Sequence, residues 1–412
     1  MTDTRFATLL KRGVAEIITE AELLRLLKLG RTLTLKQGFD PSAPDIHIGH
    51  VVGLRKLRQF QQLGHRVTLI VGDWTARIGD PSGQSATRPM LSPKEIEDNA
   101  RTYMEQFFKV VDRDKTELRW QSEWFSKFTL DEVIKLTSTF TIAQLLARED
   151  FNKRYSSGNP ISLAEMLYPL LQGYDSVAIK ADVEFGGIDQ KFNCLVGREL
   201  QQSMGQPAQQ VFLVPLLIGT DGRQKMSKSL HNHIGVAEPP QEIYGKVMSI
   251  PDSLILDYFE LVTDVPEEET AKFKKQLETR SVNPMNLKKR LAHEIVRQFH
   301  SKQAADGAEE YFQGQFQTRE LHKMEATASI GLKVSAEVII TRDMPRWLVN
   351  NKFANSMSEA KRLLAQGAVQ IIRADGTRQV IRDENVKIIP GDRIKVGKLR
   401  FAEIVDANRE KA

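Results

Sequence analysis

The stretch Gly38–His50, GFDPSAPDIHIGH, decides how this chain reads. Leu33, Leu35 and the residues between them suit a short strand leading into it. VVGLRKLRQFQQL after it suits a helix stopped by Gly64. Pro41 and Pro44 stiffen the turn, while Gly38 and Gly49 let backbone approach a ligand. A strand-to-helix loop in an α/β sheet lies at the carboxyl edge of the strands, where ligands bind. The new helix points amide hydrogens and its positive end at that edge, which suits phosphate. His47 and His50 are three residues apart and face the same space. Such a pair also fits half a metal site, but no Glu follows the first His as in zinc proteases, and the chain has one Cys.

A second stretch, Lys225-Met226-Ser227-Lys228-Ser229, lies about one nucleotide-binding domain downstream. HIGH followed at that spacing by KMSKS resembles the class I aminoacyl-tRNA synthetases.

The length of 412 residues suggests two to four domains. Hydrophobic content of 41% and charge of 27% are ordinary for a globular protein. Cys194 stands alone, so no internal disulfide forms and a reducing, cytoplasmic home is expected. The longest apolar run, Val211–Gly219, is too short to span a bilayer and contains Pro215. Glu16, Glu20 and Glu22 make the first thirty residues unlike a signal peptide. Residues 345–412 carry 14 Lys+Arg against 8 Asp+Glu, leaving 44 against 45 for the rest. Positive charge gathered at one end suggests a polyanionic partner there.

Within the nucleotide fold, residues 1–30 read as one or two helices covering the first strand. Val67–Asp73 reads as a buried parallel strand ending in a loop of small residues, Trp74–Ser85. Ser92-Pro93-Lys94-Glu95 is a capping box opening a helix, and TELRWQSEW is another strand. Residues of about 122–160 read as a helical insertion. From Ser162 to Lys180, Leu163, Met166, Leu167, Leu170, Tyr174 and Val177 share one helical face. Tyr168, Gln172 and Asp175 stand nearly opposite. That stripe is either solvated or turned into the ligand cleft. Gly186-Gly187 then bring backbone close to a ligand with Asp189 and Gln190 beyond, and QQVFLVPLL is a last strand leading to KMSKS.

GFDPSAPDIHIGH, IGDPSG, LYPLLQGYDS and GGIDQKFN, in this order and spacing, resemble bacterial tyrosyl-tRNA synthetases of the KMSKS-bearing subgroup, over essentially the full length. The resemblance implies an α/β fold with a Rossmann-type parallel-sheet catalytic domain over 1–230, carrying a dimerisation insertion at about 122–160. An α-helical anticodon-arm domain (231–330), a connector (331–344) and a small α+β S-four-type RNA-binding domain (345–412) would follow. It implies that Asp80, Tyr168 and Gln172 hold the ammonium of tyrosine, with Gln190 beside its polar end and Asp175 accepting the phenol hydroxyl. Gly38 and Asp40 would line the amino-acid and adenosine region, Gly187 and Asp189 the ribose. His47, Gly49 and His50 would meet the ATP phosphates, with Lys225, Ser227 and Lys228 closing from the other side. Magnesium would ride on those phosphates with no all-protein cage. Where much of the family has a tyrosine sharing the phenol hydroxyl, this chain has Lys36. Either Lys36 takes part there or Asp175 works with another group.

EPPQEIYGKVMSI, LILDYFELV, EEETAKFKKQLE and NLKKRLAHEIVRQFH read as helices of the second domain. Arg346-Trp347-Leu348 opens a short helix, SMSEAKRLLAQG is a capped one, and VQIIRADGTRQVI is a hairpin about Asp375-Gly376. Lys352, Lys361, Arg362, Lys395, Lys398 and Arg400 are candidate tRNA contacts. The expected activity is tyrosine activation by ATP and transfer to tyrosine tRNA by a homodimer. The alternatives are a tryptophanyl enzyme and an RNA-binding protein on a synthetase scaffold.

Overall fold

Six short strands form one sheet: β1 (Glu16–Ile18), β2 (Thr34–Phe39), β3 (Arg66–Val71), β4 (Thr116–Trp120), β5 (Val183–Gly187) and β6 (Gln210–Val214). Every residue of β6, and of β3 from Val67 on, is buried, as strands covered on both faces require. The computed structural model describes residues 4–42, 44–82, 91–316, 329–332, 339–341, 343–354, 356–373, 375–382, 386–397 and 400–406. The chain forms two compact units, Met1–Glu309 and Glu310–Ala412.

The strand order is β1-β6-β5-β2-β3-β4, parallel except for β1. From β2 the chain builds outward through β3 and β4, then returns to place β5 and β6 on the other side. This reversal opens a crevice beyond the carboxyl ends of β2 and β5. β1 corrects the expectation of helices alone over 1–30: Glu16-Ile17-Ile18 is too short to show an alternation, and pairing with Phe212 and Leu213 makes it a strand.

Helix α1 (Ile48–Gln62) follows β2, and α2 (Leu163–Ile179) and α3 (Lys191–Ser203) flank β5 in sequence. The insertion is helical at Leu130–Thr137, Ile142–Leu146 and Glu149–Ser156. α2 starts at a capping box: Ser162 Oγ accepts from Glu165 N, and Glu165 Oε2 accepts from Ser162 N. Leu170 and Val177 of its apolar face pack with Leu136, Val196 and Leu200. Leu163 does not join them and is 80% exposed. The opposite face carries Tyr168 and Asp175, both buried, so the stripe points into protein rather than water.

The helices expected after residue 231 form at Pro240–Ser249, Ile255–Val262, Glu267–Glu278 and Pro284–Phe299. As far as Glu309 they lie in the same compact unit as the sheet. Polar contacts tie them to the sheet side of the unit. Arg55 of α1 donates to Leu261 O at 2.7 Å and pairs with Asp264, while Tyr258 OH donates to Ile218 O at 2.7 Å.

In the second unit, helices Met344–Asn350 and Met357–Ala365 pack on strands Val369–Ile372, Arg393–Val396 and Arg400–Asp406, and Arg378–Val380 pairs at the edge beside Val369–Ile372. Trp347, Leu348, Leu364, Ile371, Ile394 and Ile404 share one core. The hairpin turns at Gly376, with φ of +85°. The segment expected to be a plain connector contributes strands: Ser329–Leu332 pairs in parallel with Glu403–Asp406, and Ile339–Thr341 pairs with Val386–Ile388. Residues 333–338 and 342 of that segment lie outside the described residues.

Candidate active site

Backbone pairing brings the two distant motifs together. Ile48 N donates to Ile234 O at 2.9 Å and Val236 N to Ile46 O at 3.1 Å, so HIGH is bridged to the segment just after KMSKS. KMSKS itself continues a small hairpin, with Met226 N donating to Leu217 O at 2.8 Å. Between them, at the carboxyl ends of β2 and β5, lies a cavity of about 810 Å³. Gly38, Asp40, His47, Gly49, His50, Asp80, Tyr168, Gln172, Asp175, Gly187, Asp189, Gln190, Lys225 and Ser227 all line it. Of the residues expected at the amino-acid and nucleotide sites, Lys228 alone is not in the lining. It stands beside it, where its charge helps hold both histidines below their usual range.

One end of the cavity is a network of amides and carboxylates. Asp80 Oδ2 accepts from Gln190 Nε2 at 2.7 Å, and its Oδ1 accepts from Ser82 N at 2.8 Å. Tyr168 OH donates to Asp40 Oδ2 at 2.8 Å. Burial and the Asp40 and Asp80 charges push that phenol well above its usual range, so it stays neutral and its oxygen remains an acceptor. Gln172 Oε1 and Gln190 Oε1 each accept from Asn193 Nδ2 at 3.0 Å. Arg148, from the insertion, donates to Asn193 Oδ1 and Ser82 Oγ and pairs with Asp150 at 2.7 Å. Acceptors therefore converge here from Asp80, Tyr168 and Gln172, as an ammonium requires. Sequence reasoning missed Arg148 and Asn193. Nothing marks Arg148 among the charges of the insertion, whereas Asn193, three residues after Gln190, shares its helical side.

Asp175 is hydrogen-bonded by groups other than Lys36. Asp175 Oδ2 accepts from Gln121 Nε2 at 2.9 Å and Oδ1 from Trp124 Nε1 at 3.2 Å. Gln121 Oε1 in turn accepts from Thr75 N and Oγ1 at 2.9 and 3.0 Å, which fixes the amide with its NH2 toward Asp175. Burial raises the Asp175 carboxyl to about 7, against the opposing pull of the Lys36 charge. Lys36 is fully buried beneath the site and does not line the cavity. Gln121 was also missed. Its signal is positional, a polar residue just past the carboxyl end of β4.

The other end carries the nitrogen donors. His47 N donates to His50 Nδ1 at 3.2 Å, which makes Nε2 the protonated nitrogen of His50. Burial, then the charge of Lys228, brings His50 down to about 4, and burial with the charges of His50, His233 and Lys228 holds His47 well below its usual range. Both are neutral donors at pH 7, not cations. Gly49 is required at its position because a Cβ there would lie 2.8 Å from His47 Nδ1. Gly72 makes room in the same way for the Asp40 carboxylate, which accepts from Thr75 Oγ1 at 2.7 Å. Lys225 Nζ pairs with Asp189 Oδ2 at 2.8 Å, so the first lysine of KMSKS already spans the crevice. Asn232, unforeseen, holds the loop by accepting from Ser227 N at 2.8 Å and donating to Lys225 O.

In the second unit, Lys352, Lys361 and Arg362 are exposed. Lys395 is half-buried, and burial with the Arg378 charge lowers its ammonium from the usual range. Lys398 and the side chain of Arg400 lie outside the described residues.

The family model "tRNA synthetases class I (W and Y)" matches residues 28–317. The tyrosine--tRNA ligase of Dehalococcoides mccartyi strain CBDB1 is 57% identical over 397 residues, covering 96% of this chain and 98% of that protein. That of Thermotoga maritima is 47% identical over 413 residues and covers both chains fully. Among solved structures, a C-terminally truncated Aspergillus nidulans mitochondrial tyrosyl-tRNA synthetase shares the fold with a TM-score of 0.63 at 23% identity, over 76% of this chain and 95% of that one. The Archaeoglobus fulgidus tyrosyl-tRNA synthetase complexed with L-tyrosine does so with a TM-score of 0.60 at 22% identity, over 73% and 98%. The family model covers both the tryptophan and tyrosine groups, and the close relatives separate them: the chain belongs to the class I tRNA synthetases, among the bacterial tyrosyl-tRNA synthetases.

Proposed function

We propose that the cavity binds tyrosine and ATP, joins them as tyrosyl-adenylate with release of pyrophosphate, and then transfers tyrosine to the terminal ribose of tyrosine tRNA. The observation that carries this is one crevice with acceptors at its polar end, a buried carboxylate at Asp175, and histidine and lysine donors opposite. Asp80, Tyr168 and Gln172 receive the ammonium, and Asp175, held by Gln121 and Trp124, accepts the phenol hydroxyl. The substrate carboxylate is already an anion, so its attack on the α-phosphate needs no general base. What needs stabilising is charge on the five-coordinate phosphorus and the departing pyrophosphate. His47 and His50 donate hydrogen bonds there, the amino end of α1 adds its dipole, and Lys225 and Lys228 bring positive charge. Asp189 exchanges its bond to Lys225 for the ribose. Magnesium enters with the ATP, and its chemistry is charge neutralisation on the phosphates.

Assembly follows the same reading. Leu130, Ile134 and Ile142 of the insertion and Leu163 beside it are 75%, 57%, 63% and 80% exposed, apolar surface that suits a homodimer contact. The basic second unit supplies tRNA phosphate contacts through Lys352, Lys361, Arg362 and Lys395, with Lys398 and Arg400 as further candidates. The cytoplasm, where tRNA and ATP meet, is the site of action. Among the described residues no helix is long and apolar enough to cross a membrane.

Pyrophosphate exchange measured with each of the twenty amino acids tests the reaction. Exchange driven by tyrosine is expected. Exchange driven by tryptophan would refute the reading, and RNA binding without any exchange would favour a scaffold role. A monomeric mass by light scattering at micromolar protein would count against the dimer.

A further inference from the structure

Strand β2 alternates its side chains, so Lys36 and Gly38 face the same side of the sheet. Gly38 lines the cavity, and Lys36, two residues deeper, lies beneath its floor. Across the parallel pairing Lys36 stands opposite Glu184 of β5. Lys36 Nζ donates to Gln172 O at 2.7 Å, Ser176 Oγ at 2.7 Å and Glu184 Oε1 at 3.0 Å. An ammonium has three N–H bonds, and all three are used, so Lys36 has none to offer a ligand. Both members of the ion pair are fully buried, with side chains 0% and 1% exposed.

Such a pair contributes little net stability in itself, since desolvation offsets most of the attraction. Its geometry suggests what it does instead. Glu184 Oε1 accepts from Gln172 Nε2 at 3.2 Å, and Glu184 Oε2 accepts from Ser176 Oγ and Gln209 Nε2. A carboxylate can only accept, so the amide of Gln172 must turn its NH2 toward Glu184. Gln172 Oε1 then faces Asn193 and the crevice. The two bonds from Lys36 to residues of α2 also fix the turn of helix on which Gln172 and Asp175 stand.

We infer that Lys36 and Glu184 form a buried positioning pair for amino-acid recognition: the pair presents the Gln172 carbonyl oxygen to the substrate ammonium and sets a positive charge beneath Asp175. Neither residue touches the substrate. The inference rests on the reading that Gln172 receives the ammonium and Asp175 the phenol. Asp175 is faced by two charged groups, Lys36 from β2 and Glu184 from β5, and the lysine has the larger effect. Without Lys36, Glu184 loses the ammonium that holds its Oε1 in place, and the Gln172 amide loses the fixed orientation that aims its oxygen at the substrate ammonium.

The test is Lys36→Met in the full chain, close in length and neutral, measured by tyrosine-dependent pyrophosphate exchange across pH 6–9 with a thermal melt as the folding control. The KM for tyrosine should rise about tenfold or more, while that for ATP stays within about twofold, as loss of an orienting hydrogen bond at one substrate requires. The acid limb of kcat/KM for tyrosine should move to higher pH. A folded Lys36→Met protein with an unchanged tyrosine KM and an unchanged limb overturns the proposal. If Lys36→Met does not fold, the double variant Lys36→Met/Glu184→Gln removes both charges and carries the test. Its limb should still lie above that of the parent, because the lysine outweighs the glutamate at Asp175, and a parental limb and KM overturn the proposal. If neither variant folds, the pair is a structural staple and the proposal falls. Asp175→Ala separates the underlying reading: an unchanged tyrosine KM there refutes the phenol assignment whatever Lys36 does.

Discussion

Asp175 should make the choice between tyrosine and phenylalanine depend on pH. Its carboxyl is buried and titrates at about 7 rather than at its ordinary 3.8. Above pH 7 the ionised carboxylate accepts a charge-assisted bond from the phenol, worth roughly 1.5–3 kcal/mol. Below pH 7 the protonated group offers only a neutral bond, worth roughly 0.5–1.5 kcal/mol. Phenylalanine behaves oppositely, because it leaves an ionised carboxylate unpaired at high pH and only a neutral acid at low pH. The ratio of kcat/KM for the two amino acids should therefore rise about tenfold between pH 6 and pH 8. His50, at about 4, does not titrate in that window, and His47 lies well below its usual range. The assay is pyrophosphate exchange at subsaturating amino acid and saturating ATP, run with both amino acids on one enzyme preparation. Linkage gives a second readout. Between pH 3.8 and about 7 the folded protein keeps a proton on Asp175 that the unfolded chain has lost, so this group's contribution to stability falls as pH rises through that window. Bound tyrosine offsets the loss, so the increase in melting temperature on adding tyrosine should be larger at pH 8 than at pH 6. A tyrosine-to-phenylalanine ratio that stays flat from pH 6 to pH 8 would refute the reasoning.

Three further outcomes are expected. Lys228→Ala should slow adenylate formation by about a hundredfold in single-turnover measurements, the loss typical of one transition-state donor, with tyrosine affinity by equilibrium binding within about twofold; equal losses in both would mean a structural role. Gly49→Ala would place a Cβ 2.8 Å from His47 Nδ1, so it should displace that ring and raise the KM for ATP without changing that for tyrosine; unchanged ATP kinetics would show that His47 does not meet the phosphates. A chain ending after Phe316 retains the first unit and its last helix, whereas ending near residue 344 would strand Ser329–Leu332 and Ile339–Thr341 without their partners. The Phe316 truncation should keep tyrosine-dependent exchange and lose most tRNA charging, and charging at the full-length rate would exclude the second unit as the tRNA clamp.

The elements of this protein were legible in the sequence wherever the signal is local. Val67–Val71 is an apolar run interrupted only by Thr68, Ser92 and Glu95 form a capping box, and Asp375-Gly376 turns a hairpin, because each is set by residues a few positions apart. The two synthetase motifs were legible as well, through their joint resemblance, in order and spacing, to class I synthetases. β1 was not, because three residues carry no period and only the edge of β6 makes them a strand. Nor was the extent of the second unit. Ser329–Leu332 and Ile339–Thr341 become strands by pairing with residues about 45–75 positions later. The amino-acid end of the site depended most on tertiary structure. The spacing of Tyr168, Gln172 and Asp175 alone favours a solvated stripe over a ligand-facing one, and the burial of Tyr168 and Asp175, with α2 tied to Lys36 of β2 and Glu184 of β5, turns it inward. Gln121 from the end of β4 reaches Asp175, Arg148 from the insertion reaches Asn193, and Glu184 from β5 holds Gln172, contacts that exist only because distant segments converge around one crevice. Lys36 shows the same limit. The resemblance left open whether Lys36 joins Asp175 at the substrate hydroxyl, but a buried ammonium goes where its three hydrogens find acceptors, and those lie below the cavity at Gln172, Ser176 and Glu184.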